Sequence, residues 1–303
     1  MASTTLAEGV ARGDRASLAR AITLVENDQA AASALLSALR PPGRAFVLGV
    51  TGPPGTGKST LVDRLTGFYR RMGLKVGVIA VDPSSPLTGG ALLGDRIRMS
   101  DHAGDPGVFI RSMASRGWSG GLSRAASQVV QLMDAAGFDV VLIETVGIGQ
   151  SDVEVVGVSH AVLVVLMPGM GDDVQMSKAG LMEVGDAYVV NKGDLEGADQ
   201  MVVTLLSLVR TMKGRSPPVV KVSALTGEGL EKLMAAVEPA RARLGSGDPE
   251  IRMRSTVRLI LEMARGSIVA GFDARAEAPA RALAAKVIAG KLTVAEAAAR
   301  LAR

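Results

Sequence analysis

Residues 49–65 read GVTGPPGTGKSTLVDRL, and their punctuation decides the fold. An apolar run over 45–50 leads in, an amphipathic run leads out, and between them lies G-x-x-x-x-G-K-S from Gly52 to Ser59. That order predicts a buried strand, a glycine-rich loop and a helix starting at Lys58. The glycines let successive backbone N–H groups curl around phosphate oxygens, and the helix N-terminus adds partial positive charge. In such a loop the lysine, here Lys58, reaches the outer phosphates and the hydroxyl, here Ser59, ligates Mg²⁺. Gly52, Pro53, Pro54, Gly55, Thr56, Gly57, Lys58, Ser59 and Thr60 are therefore the candidate triphosphate-binding residues. The competing reading is a Gly-Pro turn that merely starts a helix. It does not account for a match at every motif position together with both flanks.

Further short apolar runs follow at 76–81, 107–111, 139–143, 161–166, 187–190 and 219–222. Helical patterns lie between several of them, including 59–72 and 122–135. Strands this apolar are buried on both faces, which predicts an α/β fold. A mostly parallel central sheet is expected, covered by helices on both faces in the manner of a P-loop NTPase. Residues 1–43 read as an N-terminal helical extension, with Asp14 capping a segment that lines up Leu18, Ile22 and Val25. Residues 44–244 form the nucleotide-binding domain. "GSGDPE" from Gly245 reads as a linker into a helical extension over 245–303, with helices expected at 251–268 and from Thr293. There, Thr293 and Glu296 make a capping box.

Of the 303 residues, 48% are apolar but only 3% aromatic, so aliphatic side chains fill the core. Cysteine is absent, which removes disulfides, thiolate metal sites and cysteine nucleophiles. The net charge of +4 is mild, and no basic run is interleaved with aromatics, so no nucleic-acid partner is expected. The start lacks a hydrophobic signal core, and no apolar run reaches the roughly 18–20 residues of a membrane span. A soluble, cytoplasmic protein without a membrane partner is expected.

Two acids end apolar strands: Asp82 in VIAVDPSSP and Glu144 in VVLIETVG. At strand ends facing the ligand crevice they are candidate Mg²⁺ partners, together with Ser59. Glu144 also begins E-x-x-G, whose Gly147 would sense the γ-phosphate through its N–H. Asp95, in the glycine-rich GALLGDRIRM, is a third acid suited to a loop that reorganises on hydrolysis. For all three, a plain turn or cap is the competing reading.

The base is named by YVVNKGDL. Asn191-Lys192-Gly193-Asp194 fits N-K-x-D after a strand, and the Asp194 carboxylate can accept from guanine N1–H and its exocyclic amine. Adenine lacks both donors. The backbone of Ser223-Ala224 is placed to meet guanine O6. The residue after Gly147 is Ile148, which cannot orient water as a glutamine does in Ras-like GTPases. Gln150 is an unproven substitute, so hydrolysis should be slow alone and the protein a switch. Lys58, Asp95 and Glu144 are the candidate catalytic residues. Arg96, Arg98, Arg111, Arg116 and Arg124 surround the switch-like region, and none is singled out as an arginine finger. His102 and His160 read as surface or core residues. Trp118 is either an interface anchor or a loop-packing residue.

These stretches together resemble the MeaB/ArgK family of P-loop GTPases. The likeness runs over nearly the whole chain and includes GDRASLARAITLVE, VIAVDPSSPLTGGALLGDRIRM, ETVGIGQSDVEV, GDDVQMSKAGLMEV and AAKVIAGKLTVAEAAARL. The resemblance implies a GTPase chaperone of a cobalamin-dependent acyl-CoA mutase, methylmalonyl-CoA mutase-like. It would gate the loading of adenosylcobalamin, protect the mutase and help replace damaged cofactor. Adenosylcobalamin would be met only through that partner. The resemblance also implies a homodimer formed through the helical termini, and a coupling loop containing Asp172 and Lys178. Asp152 stands where the family usually has Glu. A metal-delivery GTPase is the first rival; it would need Cys or His ligands that this chain lacks. A P-loop kinase is the second; it would need an acceptor lid and base that no motif supplies.

Overall fold

The computed structural model describes residues 2–39, 44–83, 102, 104–115, 121–145, 158–170, 184–212, 214–245, 249–289 and 291–302. The strands are β1 (Phe46–Thr51), β2 (Val76–Pro83), β3 (Val108–Ser115), β4 (Val140–Glu144), β5 (Ala161–Leu166), β6 (Ala187–Val190) and β7 (Val219–Lys221). They form one sheet in the order β3-β2-β4-β1-β5-β6-β7, and every pairing is parallel. All seven apolar runs read from the sequence are strands. β2 and β3 extend a few residues further than expected.

Around the sheet lie α1 (Ala2–Ala11), α2 (Arg15–Asn27), α3 (Gln29–Ala38), α4 (Lys58–Arg71), α5 (Gly121–Ala135), α6 (Ala198–Thr211) and α7 (Leu230–Gly245). Alternation along each strand sends side chains to opposite faces. On one face Phe46, Leu48 and Val50 pack with Leu61, Leu65 and Tyr69 of α4 and with Leu233 and Val237 of α7. On the other, Val47, Ile79 and Val141 pack with Val129, Leu132 and Met133 of α5 and with Leu18, Ile22 and Leu35 of α2 and α3. Farther along this second face, Val162, Val164 and Tyr188 meet Leu205 and Val209 of α6. The N-terminal helices thus share the core of the sheet. Asp14 caps α2 by accepting from Ser17 N–H at 2.9 Å, and Asp28 caps α3 through Ala31 N–H at 3.0 Å. Two further bonds fix this layer to the edge strand: Arg15 donates to Val108 O at 2.6 Å, and Arg111 pairs with Glu26.

The C-terminal region differs from its expected form. In place of a helix over 251–268, α8 runs unbroken for 40 residues from Pro249 to Ile288, with Pro279 inside it. The stretch RAEAPARALAAKV is dense in strong helix formers, so propagation continues past the one missing donor. α9 (Val294–Leu301) follows, with the Thr293–Glu296 capping box formed in both directions.

Candidate functional site

β1 lies between β4 and β5, while the chain builds β2 and β3 on one side and β6 and β7 on the other. The crevice beyond the C-terminal ends of β1, β4, β5 and β6 is therefore a topological switch point, where parallel sheets receive ligands. Each motif leaves the sheet at this edge.

The loop from Gly52 to Gly57 joins β1 to α4. Gly52 has φ 141° and an added Cβ would sit 2.1 Å from Val165 O; Gly57 has φ 84° and its Cβ would sit 2.5 Å from Asn191 Nδ2. Only glycine fits at either place. Within the loop, Thr56 Oγ1 donates to Pro53 O at 2.9 Å. The Lys58 ammonium is buried and donates to Gly52 O at 2.7 Å and Pro53 O at 2.9 Å, which holds it over the loop. Pro54, Gly55 and Thr60 are on the solvent side.

Ser59 Oγ donates to Glu144 Oε1 at 2.6 Å. β4 brings the carboxylate there because its last residue pairs in register with Val50 of β1, next to the loop. Thr145 continues the contact, its Oγ1 donating to Thr51 Oγ1 at 3.0 Å. A hydroxyl and a carboxylate at one point on two rigid elements suit a hard dication on a triphosphate, which takes few protein oxygens. They suit nickel or zinc poorly. Among the described residues no group of three or more His, Cys, Asp or Glu gathers. Asp82 lies in β2, two residues beyond Ala80, which is opposite Glu144. Its carboxylate lies outside the described residues, as do Asp95, Gly147, Asp172 and Lys178. Ile148, Gln150, Asp152, Arg96, Arg98, Arg116, Trp118 and the Arg124 side chain also fall outside them.

Asn191 joins the two halves of the site. Its Nδ2 donates to Thr56 O at 2.7 Å, and its Oδ1 accepts from Ala224 N–H at 3.0 Å. The side chain is buried, so the phosphate loop and the 223–226 loop are fixed to one another. Lys192 takes a left-handed φ of 55°, which turns the chain toward Asp194. Asp194 is exposed, and the Ser223 hydroxyl beside it holds its carboxyl below the usual carboxylate range. An ionised carboxylate is the form that accepts two guanine donors. Ser223 N–H is bonded to Glu228 O at 3.0 Å and Ala224 N–H to Asn191, so guanine O6 would share a donor already aimed at Asn191.

Two contacts here carried no signal in the sequence. Arg64 on α4 donates from Nε to Ala224 O at 2.9 Å and from Nη2 to Leu225 O at 2.7 Å. The Thr51–Thr145 bond is the second, between residues 94 apart. Neither histidine faces the crevice chemistry: His102 lies beside Asp63, and His160 accepts from Val47 N–H and stacks on Phe46.

Over residues 18–277 the chain matches the model of a family described as methylmalonyl Co-A mutase-associated GTPase MeaB. It is 50% identical over 240 residues to a Pyrococcus horikoshii protein named as a GTPase, covering 77% of this chain and 76% of the relative. It is 44% identical over 248 residues to GTPase ArgK of Escherichia coli, covering 77% and 75%. The crystal structure of a protein named LAO/AO transport system kinase superposes on 99% of this chain and 96% of its own, with a TM-score of 0.71 and 29% identity.

Proposed function

This chain belongs to the MeaB family of methylmalonyl-CoA mutase-associated GTPases, and from that premise we propose that it is a Mg²⁺–GTP switch serving a cobalamin-dependent acyl-CoA mutase. In this reading it gates the loading of adenosylcobalamin, guards the loaded enzyme and helps exchange damaged cofactor. Asn191 is the observation that carries it, since one buried amide ties the loop for phosphate to the loop for base. A site braced in that way is suited to hold the phosphate and the base of one nucleotide together.

In the proposed reaction water attacks the γ-phosphate of GTP and releases GDP and phosphate. Lys58 would neutralise phosphate charge, Asp194 would read guanine, and Ser59 with Glu144 would hold the metal. Mg²⁺ there would screen the charge between phosphate oxygens. Asp95 and Gly147 would report the γ-phosphate, and Asp172 and Lys178 would relay it to the mutase. Without a glutamine after Gly147, turnover alone should be slow. No helix among the described residues is long and apolar enough to cross a membrane. We place the protein in the cytoplasm, together with its proposed partner.

We also propose that it acts as a homodimer. Met253, Val257, Ile260, Leu261, Ile268 and Phe272 of α8 are all exposed, between 39% and 71%. At 100° per residue they fall within about 120° of the helix circumference. A second copy of the same helix is the partner that such a stripe fits.

The test is steady-state GTP turnover with Mg²⁺, alone and with a cobalamin-dependent acyl-CoA mutase from the same genome. A slow rate that rises severalfold with the mutase supports the proposal. A rate the mutase leaves unchanged sinks the chaperone role while leaving the GTPase. Competition by ATP on equal terms would instead favour a kinase, the activity in the name of the structural relative.

A further inference from the structure

Arg64 stands on α4, six residues beyond Lys58, and its guanidinium crosses to a loop 160 residues away in sequence. Its two donors take the carbonyls of Ala224 and Leu225 at 2.9 and 2.7 Å. Asn191 takes the N–H of the same Ala224, and Asn191 in turn holds Thr56. The contacts close a ring: phosphate loop, Asn191, Ala224, Arg64, and α4 back to the phosphate loop. Ala224 is thereby held at both its N–H and its C=O. Its neighbour Ser223 carries the hydroxyl that bonds Asp194, and Thr226 N–H caps that hydroxyl at 3.3 Å. Ser223 and Ala224 therefore sit on a segment whose far side rests on Arg64, and Asp194, on its own loop, leans on that segment through the Ser223 hydroxyl.

We propose that Arg64 is a positioning residue for base recognition: it fixes the 223–226 loop against α4 so that guanine is held longer and told from adenine. The idea rests on the guanine reading of the site. A lysine keeps the charge but lacks the planar fork that meets both carbonyls at fixed angles, so it should restore only part of the hold. Loss of both bonds leaves the carbonyls hydrated and the loop free to drift by fractions of an ångström, enough to loosen hydrogen bonds whose length and angle both matter. The carbonyls that hold Lys58, those of Gly52 and Pro53, lie outside this loop.

The experiment uses the full chain as wild type, Arg64→Ala and Arg64→Lys. It measures GDP release, the GTP-over-ATP preference in turnover, kcat at saturating GTP, and the melting temperature without nucleotide. Arg64→Ala should release GDP faster on the order of tenfold, from the loss of charge-assisted bonds. The GTP-over-ATP preference should shrink by a similar factor, more than any change in kcat, and Arg64→Lys should recover part of both. GDP release within twofold of wild type overturns the proposal. So does a variant that melts earlier and turns over slowly while keeping its full GTP preference, since that is structural damage alone. A wild-type protein with no GTP preference at all would overturn the guanine reading itself, and the three outcomes are distinguishable.

Discussion

At the scale of one residue, Asp194 shows how little chemistry is needed to choose a base. It is an exposed carboxylate whose pKa is held below the usual range, chiefly by the neighbouring Ser223 hydroxyl. Asp194→Asn turns an acceptor into a group that also donates, so it should accept xanthine, whose C2 bears oxygen. GTP affinity should fall about a hundredfold and xanthosine triphosphate should gain, measured by competition binding. Unchanged GTP preference would remove Asp194 from the site. Lys58 makes a complementary point: its ammonium is buried, and two loop carbonyls supply the polar contacts such burial requires.

At the scale of elements, the site depends on side chains that pin one segment to another. Asp134 on α5 is buried and its Oδ1 accepts from Arg44 N–H at 3.0 Å and Ala45 N–H at 2.8 Å, which fixes where β1 begins. Asp134→Ala leaves those donors without the carboxylate and should cost about 2–3 kcal/mol in urea unfolding; Asp134→Asn should recover much of it. Arg70 on α4 grips Asp105 with two bonds of 2.8 and 2.9 Å and also donates to Leu74 O at 2.6 Å. That grip, with Gly107 N–H, holds the Asp105 carboxyl below the usual carboxylate range. A depressed folded-state pKa adds stability that is present above the ordinary carboxylate value and lost as pH falls through the lowered one. Arg70→Met should therefore be less stable than wild type at neutral pH. The part of that gap due to Asp105 should close as pH falls from the ordinary carboxylate range through the lowered Asp105 value, read from urea midpoints across the range. A gap of constant size would assign the whole effect to Leu74 O and packing.

At the scale of the molecule, two helical regions stand in different relations to the sheet. The N-terminal helices bury Leu18, Ile22 and Leu35 against strand residues such as Ile79. A chain lacking residues 1–43 should fail to stay soluble, because that face would become a large exposed apolar patch. The long α8 instead keeps an apolar stripe in solvent. Replacing both Ile260 and Ile268 with Asp should convert a dimer to a monomer in analytical ultracentrifugation, with intrinsic GTP turnover retained. A wild-type protein that sediments as a monomer would end the dimer proposal.

The sequence by itself determined the sheet and the order of the motifs. The central strands β1, β4, β5 and β6 are buried at every position and almost wholly apolar, so they announce themselves locally, while the edge strands β3 and β7 do so only in part because they carry Arg111 and Lys221. The phosphate loop and N-K-x-D are contiguous, so each is legible without knowing what lies opposite. The extent of α8 was not legible, because an alanine-rich segment with one proline reads equally as a stop or a continuation. Only the tertiary structure decided that Ser59 meets Glu144, that Asn191 bridges two loops, and that Arg64 rather than any other surface arginine holds Ala224. The physical reason is that these are single bonds between residues 33 to 160 positions apart. A lone polar side chain on a helix has no periodicity to betray its partner, and only the register of the sheet and the seating of α4 bring the two together.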